Sequence, residues 1–220
     1  MPTQPIQDYL KAIYELREEE GRVTTTALAR RMDVSAPSAT SMIKRLAELG
    51  LVRHEPYQGV ALETPGERVA LEMIRHHRLV EQFLAEVLGV PWDEVHDEAE
   101  RWEHVLSEGV EDRIDEVLGF PTSDPHGSPI PARDGSIVRP DSVPLAELEP
   151  GQAGVVTEVS DRDGAVLRYL AQVGLVPQAE VSVVQVEPFD GPLTLDVEGR
   201  RQVLDRELAR GLLVTEVRAA

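Results

Sequence analysis

The sequence predicts a mainly α chain with a small β-barrel at its C-terminal end. Apolar residues recur at helical spacing through most of residues 4–118. Prolines at 121, 125, 129, 131, 140 and 144 then break any period. Short β-like runs follow at 154–159, 180–184, 193–197 and 212–215, close enough in sequence to pair as a small barrel.

Residues 4–20 form the first expected helix, with Ile6, Leu10, Ile13, Tyr14 and Leu16 as its apolar stripe and Gly21 as its stop. Threonines 24–26 supply hydroxyl caps for a second helix, and Asp33-Val34-Ser35 turns the chain. A third helix spans about 36–49, with Met42, Ile43, Leu46 and Leu49 inward and Gly50 past its end. The segments 51–55 and 60–63 flank Pro56-Tyr57-Gln58-Gly59, a hairpin signal. Thr64-Pro65-Gly66-Glu67 opens a long helix to about residue 88, and Pro91-Trp92-Asp93-Glu94 opens another ending near 118–119.

Helix, tight turn, helix and hairpin is the order of a winged helix-turn-helix, whose second paired helix lies in the DNA major groove. That helix begins with Ser35, Ala36, Pro37, Ser38, Thr40 and Ser41, small or hydroxyl-bearing residues that allow close approach to phosphates and base edges. Lys44, Arg45 and Arg53 are placed to neutralise phosphates. The net charge of −18 does not exclude DNA. Residues 1–75 carry 10 Lys and Arg against 11 Asp and Glu, which leaves 12 against 29 for the remainder.

A second kind of chemistry stands at 96–104, His-Asp-Glu-Ala-Glu-Arg-Trp-Glu-His. On one helix, Glu100, Glu103 and His104 fall at i, i+3 and i+4 and converge, with His96 one turn earlier. His77 and Glu81 repeat an i, i+4 pair on the preceding helix. Carboxylates with imidazoles suit Mn²⁺ or Fe²⁺. The chain has no cysteine, which excludes thiolate ligands and disulfides and is compatible with a cytoplasmic protein. No apolar run is long enough for a membrane span, and no secretory signal opens the chain. Di-iron enzyme sites need Glu-x-x-His on each of two helices, and His-Glu-x-x-His, Gly-x-Ser-x-Gly and P-loop patterns are absent, so an enzyme is not expected. An aromatic content of 4% argues against a regulator built around a large apolar ligand pocket.

With the 96–104 motif, the Asp8-Tyr9-Leu10…Ile13-Tyr14-Glu15-Leu16 opening and Gly127-Ser128-Pro129-Ile130-Pro131, the chain resembles the diphtheria-toxin-repressor family of metal-dependent transcriptional repressors. The resemblance implies a DNA-binding domain over 1–64, a helical metal-binding and dimerisation domain over 65–131, a linker over 132–144 and an SH3-like domain over 145–220. It implies a homodimer on palindromic operator DNA, through the helices at about 65–88 and 92–118. Its primary metal site maps onto Asp8, Glu100, Glu103 and His104. Iron-type relatives carry methionine and cysteine where Asp8 and Glu100 stand, so the site resembles the manganese-type branch and implies Mn²⁺, with Fe²⁺ as the alternative. Relatives with a coupled binuclear site carry a further acid where this chain has Lys11, a departure that argues against such a pair here. A second site would use either His77, Glu81 and His96 with Asp161 or Asp163, or Glu81, Asp124 and His126 with one of those aspartates.

Overall fold

A computed structural model describes residues 2–55, 59–161 and 163–219. The chain divides into two compact units, 1–77 with 102–107 and 131–136, and 78–101 with 108–130 and 137–220.

The first unit opens with α1 (Gln4–Glu20), α2 (Thr25–Arg31) and α3 (Ala36–Glu48). Ile6, Leu10, Ile13, Tyr14 and Leu16 of α1 are all buried, as their spacing requires. Gly21 ends the helix in a left-handed conformation, its N–H donating to the Arg17 carbonyl. The Thr24 hydroxyl caps α2 by accepting from Ala27 N, and the Ser35 hydroxyl caps α3 by accepting from Ser38 N. Ala39, Ile43 and Leu46 point inward from α3. Leu49, expected inward, is 54% exposed because it is the cap residue beyond the last helical turn. A hairpin follows, β1 (Val52–Glu55) paired antiparallel with β2 (Gly59–Leu62). Of the expected turn, Pro56, Tyr57 and Gln58 lie outside the described residues. Val23 bridges Val60 and ties the α1–α2 connection to the hairpin. Helix α4 (Thr64–Glu86) begins here and runs through the boundary between the units.

The single helix expected from about 91 to 118 is two: α5 (Val95–Trp102) and α6 (Glu108–Leu118). Residues 103–105 form a turn between them. Ser107-Glu108-Gly109, a hydroxyl followed by glycine, reads as a helix start once the break is known.

Beyond α6 the second unit has β3 (Val143–Pro144), a short 3-10 turn (Leu145–Glu147), β4 (Gln152–Val159), α7 (Gly164–Val173), β5 (Glu180–Val186), β6 (Leu193–Val197), β7 (Arg200–Leu204), α8 (Arg206–Arg210) and β8 (Leu212–Ala219). The strands form one antiparallel sheet in the order β3-β8-β4-β5-β6-β7. Strands β3 and β7 are its two edges, so among the described residues the sheet does not close into the expected barrel. The sequence pattern does not announce β7, because its Arg-Arg-Gln-Val-Leu run lacks apolar–polar alternation and buries only its last residue. Leu145, Leu167, Leu170, Leu175, Leu193 and Val214 form the centre of this unit's core.

Leu46→Ala removes a fully buried side chain from α3. It is expected to lower unfolding free energy by about 2–5 kcal/mol, measured by urea denaturation; a loss well below 1 kcal/mol would show that α3 is not part of a cooperative core.

Candidate metal centre

In the first unit, Asp8 on α1 and Glu103 and His104 in the turn after α5 each bring a ligand atom within 4.8 Å of the others. Helix α5 ends at Trp102, so the donors arrive from a turn and not from the expected helical stripe. The turn is pinned: His76 Nδ1 lies 3.1 Å from the Glu103 carbonyl oxygen, which can only accept. His104 Nδ1 lies 3.0 Å from Gln7 Oε1, so this nitrogen carries the proton and Nε2 turns its lone pair toward Asp8 Oδ1, 2.9 Å away. Two lone-pair-bearing atoms facing each other at that distance call for a cation or a proton between them. Glu103, with its side chain 3% exposed, has Oε1 3.4 Å from His104 Nε2. Burial opposes its ionisation, but the hydrogen bond with His77 and the charge of Lys11 outweigh this and hold its carboxyl below the ordinary value.

Glu100 is not brought into this group. It remains on α5, its side chain 60% exposed, with Oε1 3.7 Å from His96 Nε2. His77 Nδ1 lies 2.5 Å from Glu103 Oε2 and 3.1 Å from Lys11 Nζ.

The second unit gathers two further groups around Glu81. His96 Nδ1 lies 3.2 Å from Glu81 Oε1 and 3.6 Å from Asp161 Oδ2. Asp163, the alternative to Asp161, is instead the N-cap of α7 and accepts from Ala165 N at 2.8 Å. The other group is Glu81, Asp124 and His126, all buried and within 4.8 Å of one another. His126 Nε2 lies 2.7 Å from the Trp92 carbonyl oxygen and must donate to it, which leaves Nδ1 as the unprotonated nitrogen. Among the described residues, that Nδ1 and Asp124 Oδ2 are buried without a hydrogen-bond partner. A histidine fixed through one nitrogen by a carbonyl and offering the other is the usual state of a metal ligand. Burial first, then the negative charge of Glu81, pushes the Asp124 carboxyl well above its ordinary value. The arrangement fits a divalent cation, which would supply the charge these carboxylates lack.

The loop carrying Asp124 and His126 is shaped by a glycine. Asp124 Oδ1 accepts from His126 N at 2.8 Å and Ser128 N at 3.0 Å, folding the loop on itself. Val159 N donates to the His126 carbonyl, and the Ser128 hydroxyl donates to Glu158. Between them Gly127 has φ +90°, and a Cβ there would stand 1.8 Å from the Thr157 carbonyl oxygen. The sequence pattern of 120–131 reads only as an irregular connection and carries no sign of this contact with β4.

On α3, Ser35, Ala36, Pro37, Ser38 and Ser41 are exposed, as are Lys44, Arg45 and, on β1, Arg53; Thr40 is half-buried. The Thr40 and Ser41 hydroxyls donate to the carbonyls of Ala36 and Pro37. Their remaining lone pairs and the two cations form one polar face opposite Ala39, Ile43 and Leu46.

A helix-turn-helix with a hairpin in the same unit as a carboxylate–imidazole cluster defines the class, a DNA-binding protein with a metal-binding domain. The family description "Iron dependent repressor, N-terminal DNA binding domain" matches residues 1–60, and "Iron dependent repressor, metal binding and dimerisation domain" matches 64–132; the chain belongs to this family. An FeoA domain matches residues 143–216. The iron-dependent repressor IdeR of Mycobacterium tuberculosis is 35% identical over 95% of this chain and 96% of its own length. A manganese-dependent transcriptional repressor solved in complex with manganese is 41% identical, with a TM-score of 0.89 over 95% of this chain and 98% of that one. The manganese regulator SloR is 30% identical, with a TM-score of 0.78 over 98% of each chain.

Gly127→Ala is expected to lower the melting temperature more than Gly89→Ala. Both glycines have positive φ, costing about 1–2 kcal/mol for an L residue, but only Gly127 of the two meets a neighbour within 4 Å. Equal melting temperatures would show that the 124–128 loop does not depend on its close approach to β4.

Proposed function

We propose that the chain is a metal-dependent transcriptional repressor of metal-uptake and homeostasis genes, activated by Mn²⁺ and acting as a homodimer on palindromic operator DNA. The observation that carries this is the Asp8–Glu103–His104 cluster, which joins the first helix of the DNA-binding unit to the turn after α5. Bound there, a divalent ion would supply the positive charge that the three donors share. The protein does the rest. Asp8 fixes α1, α1 packs on α2, and α2 packs on α3, so the setting of the recognition helix depends on where Asp8 is held. Half-site spacing is fixed by the duplex repeat, and small displacements of paired recognition helices therefore decide binding.

The donor set supports Mn²⁺. Asp8 and Glu103 are hard oxygen donors, His104 is borderline, and the chain has no cysteine. The iron-dependent relatives keep Fe²⁺ as the second reading, because Fe²⁺ accepts the same ligands. For the second site we propose Glu81 as the common ligand, with Asp124 and His126 as the better-prepared partners and His96 and Asp161 completing the set. Exposed Val110 and Val117 on α6, seven residues apart and so on one face, with exposed Leu88 and Phe120, support the dimer surface. The domain limits we propose are 1–64, 65–131, 132–144 and 145–220.

The test uses a DNA fragment selected from a random pool with Mn²⁺ present. Binding by wild-type protein is expected to vanish with chelator, and Glu103→Ala is expected to abolish the metal response; unchanged binding in chelator would overturn the proposal. Anaerobic titration with Mn²⁺ and Fe²⁺ at matched free concentrations decides the ion. Activation by Fe²⁺ at much lower free metal would replace manganese with iron. Lys44→Ala or Arg45→Ala should weaken binding to all sequences and flatten the salt slope by about 1. A change in base preference alone would remove these side chains from the phosphate-contacting set.

A further inference from the structure

Trp92 lies in the turn between α4 and α5, and its side chain and its carbonyl serve different partners. The indole packs against the apolar core of the six-stranded sheet, centred on Leu145, Leu167 and Leu170. The carbonyl oxygen accepts from His126 Nε2 at 2.7 Å, and the two rings lie 5.5 Å apart between centroids. The next residue is anchored to the same body. Asp93 Oδ2 lies 2.9 Å from Arg168 Nη1 on α7, with the Asp93 side chain only 11% exposed. The Asp93 carbonyl oxygen faces Gly164 at the start of α7, where a Cβ would stand 2.8 Å from it. The rigid peptide plane that bears the Trp92 carbonyl is thus clamped at both of its α-carbons.

That clamp matters because His126 is fully buried and has one nitrogen committed. Nε2 donates to the Trp92 carbonyl, so Nδ1 keeps its lone pair, with no hydrogen-bond partner among the described residues. The opposite tautomer would set the Nε2 lone pair against the Trp92 oxygen, a repulsive contact. An imidazole fixed through one nitrogen is oriented for a metal before the metal arrives, and loss of such a partner weakens binding about 10–100-fold. We infer that Trp92 is the positioning residue of the Glu81–Asp124–His126 site: its docking against the core of the sheet and α7 sets the tautomer and direction of His126. This rests on the proposed second site and adds what prepares its imidazole.

The test is NMR of the full-length protein with isotope-labelled histidine nitrogens in mildly alkaline solution. Spectra are taken without metal and then with Cd²⁺, a diamagnetic divalent probe whose nuclear spin couples to a bound nitrogen. Metal-free wild type is expected to show His126 protonated at Nε2 alone, and Cd²⁺ to couple to its Nδ1. Trp92→Ala is expected to give a mixture of His126 tautomers and to weaken Cd²⁺ binding there about 10-fold or more, while Cd²⁺ binding at His104 keeps its wild-type affinity. Trp92→Phe returns an aromatic ring to the same core and is expected to restore both. Gly164→Ala sets a methyl against the Asp93 carbonyl. It is expected to produce the Trp92→Ala change from α7, and it decides the matter if Trp92→Ala does not fold. If the folded variants keep the wild-type tautomer and Cd²⁺ affinity, the inference fails while the second-site reading stands. If wild type binds no Cd²⁺ through His126, the reading of this site falls and takes the inference with it.

Discussion

The interaction on which the first unit depends is the enclosure of the Glu103 carboxylate. A buried anion is costly unless charged or hydrogen-bonding groups surround it, and removing one partner of such a pair costs about 3–5 kcal/mol. Lys11 from α1, His77 from α4 and His104 from its own turn all converge on this one side chain. Three segments far apart in sequence are thereby held to a single point. Their arrangement is a condition for keeping Glu103 ionised inside the protein, and α3 is built on the same helical layer through α2.

The second unit meets a related constraint with different means. Glu81 and Asp124 are both buried, and the cation beside Asp124 is Arg78, 3.8 Å from Oδ2. The loop supplies backbone N–H groups to one oxygen of Asp124, and the other has no hydrogen bond among the described residues. Where the first cluster is largely balanced by the protein's own charges, this one retains an excess of electron-pair donors. The two clusters thus differ in how strongly they call for an external cation.

Much of the first unit was legible because helical periodicity and capping residues act locally. The α1 stripe, the Thr24 and Ser35 caps and the order helix–turn–helix–hairpin needed no long-range information. The break after Trp102 was hidden because Val95 to Val105 keeps a helical pattern, while the pull of His76 on the Glu103 carbonyl comes from another helix. Asp161 and Asp163 look equivalent in sequence; only the start of α7 shows that one of them is used as a cap. The division of Glu103 between Lys11 and His104 was illegible for the same reason as the break, since it joins residues 92 positions apart. Short β7 escaped because its surroundings, not its own pattern, decide its state, whereas α7 and α8 carry local signals of their own in the Asp163 and Asp205 caps.

Placing Glu103 and His104 beyond the end of α5 has a mechanical consequence. Donors on one continuous helix share a bite set by the helical repeat, and altering it means breaking the backbone ladder. Donors on a turn are held by a few identifiable bonds, here the His76 contact and the Gln7 contact, and their angle to Asp8 adjusts by torsion at single residues. In the proposed site the spacing between the donor atoms would therefore be an adjustable property of the helix end, and a substitution at Gln7 or His76 would retune the fit to ionic radius without touching a proposed ligand.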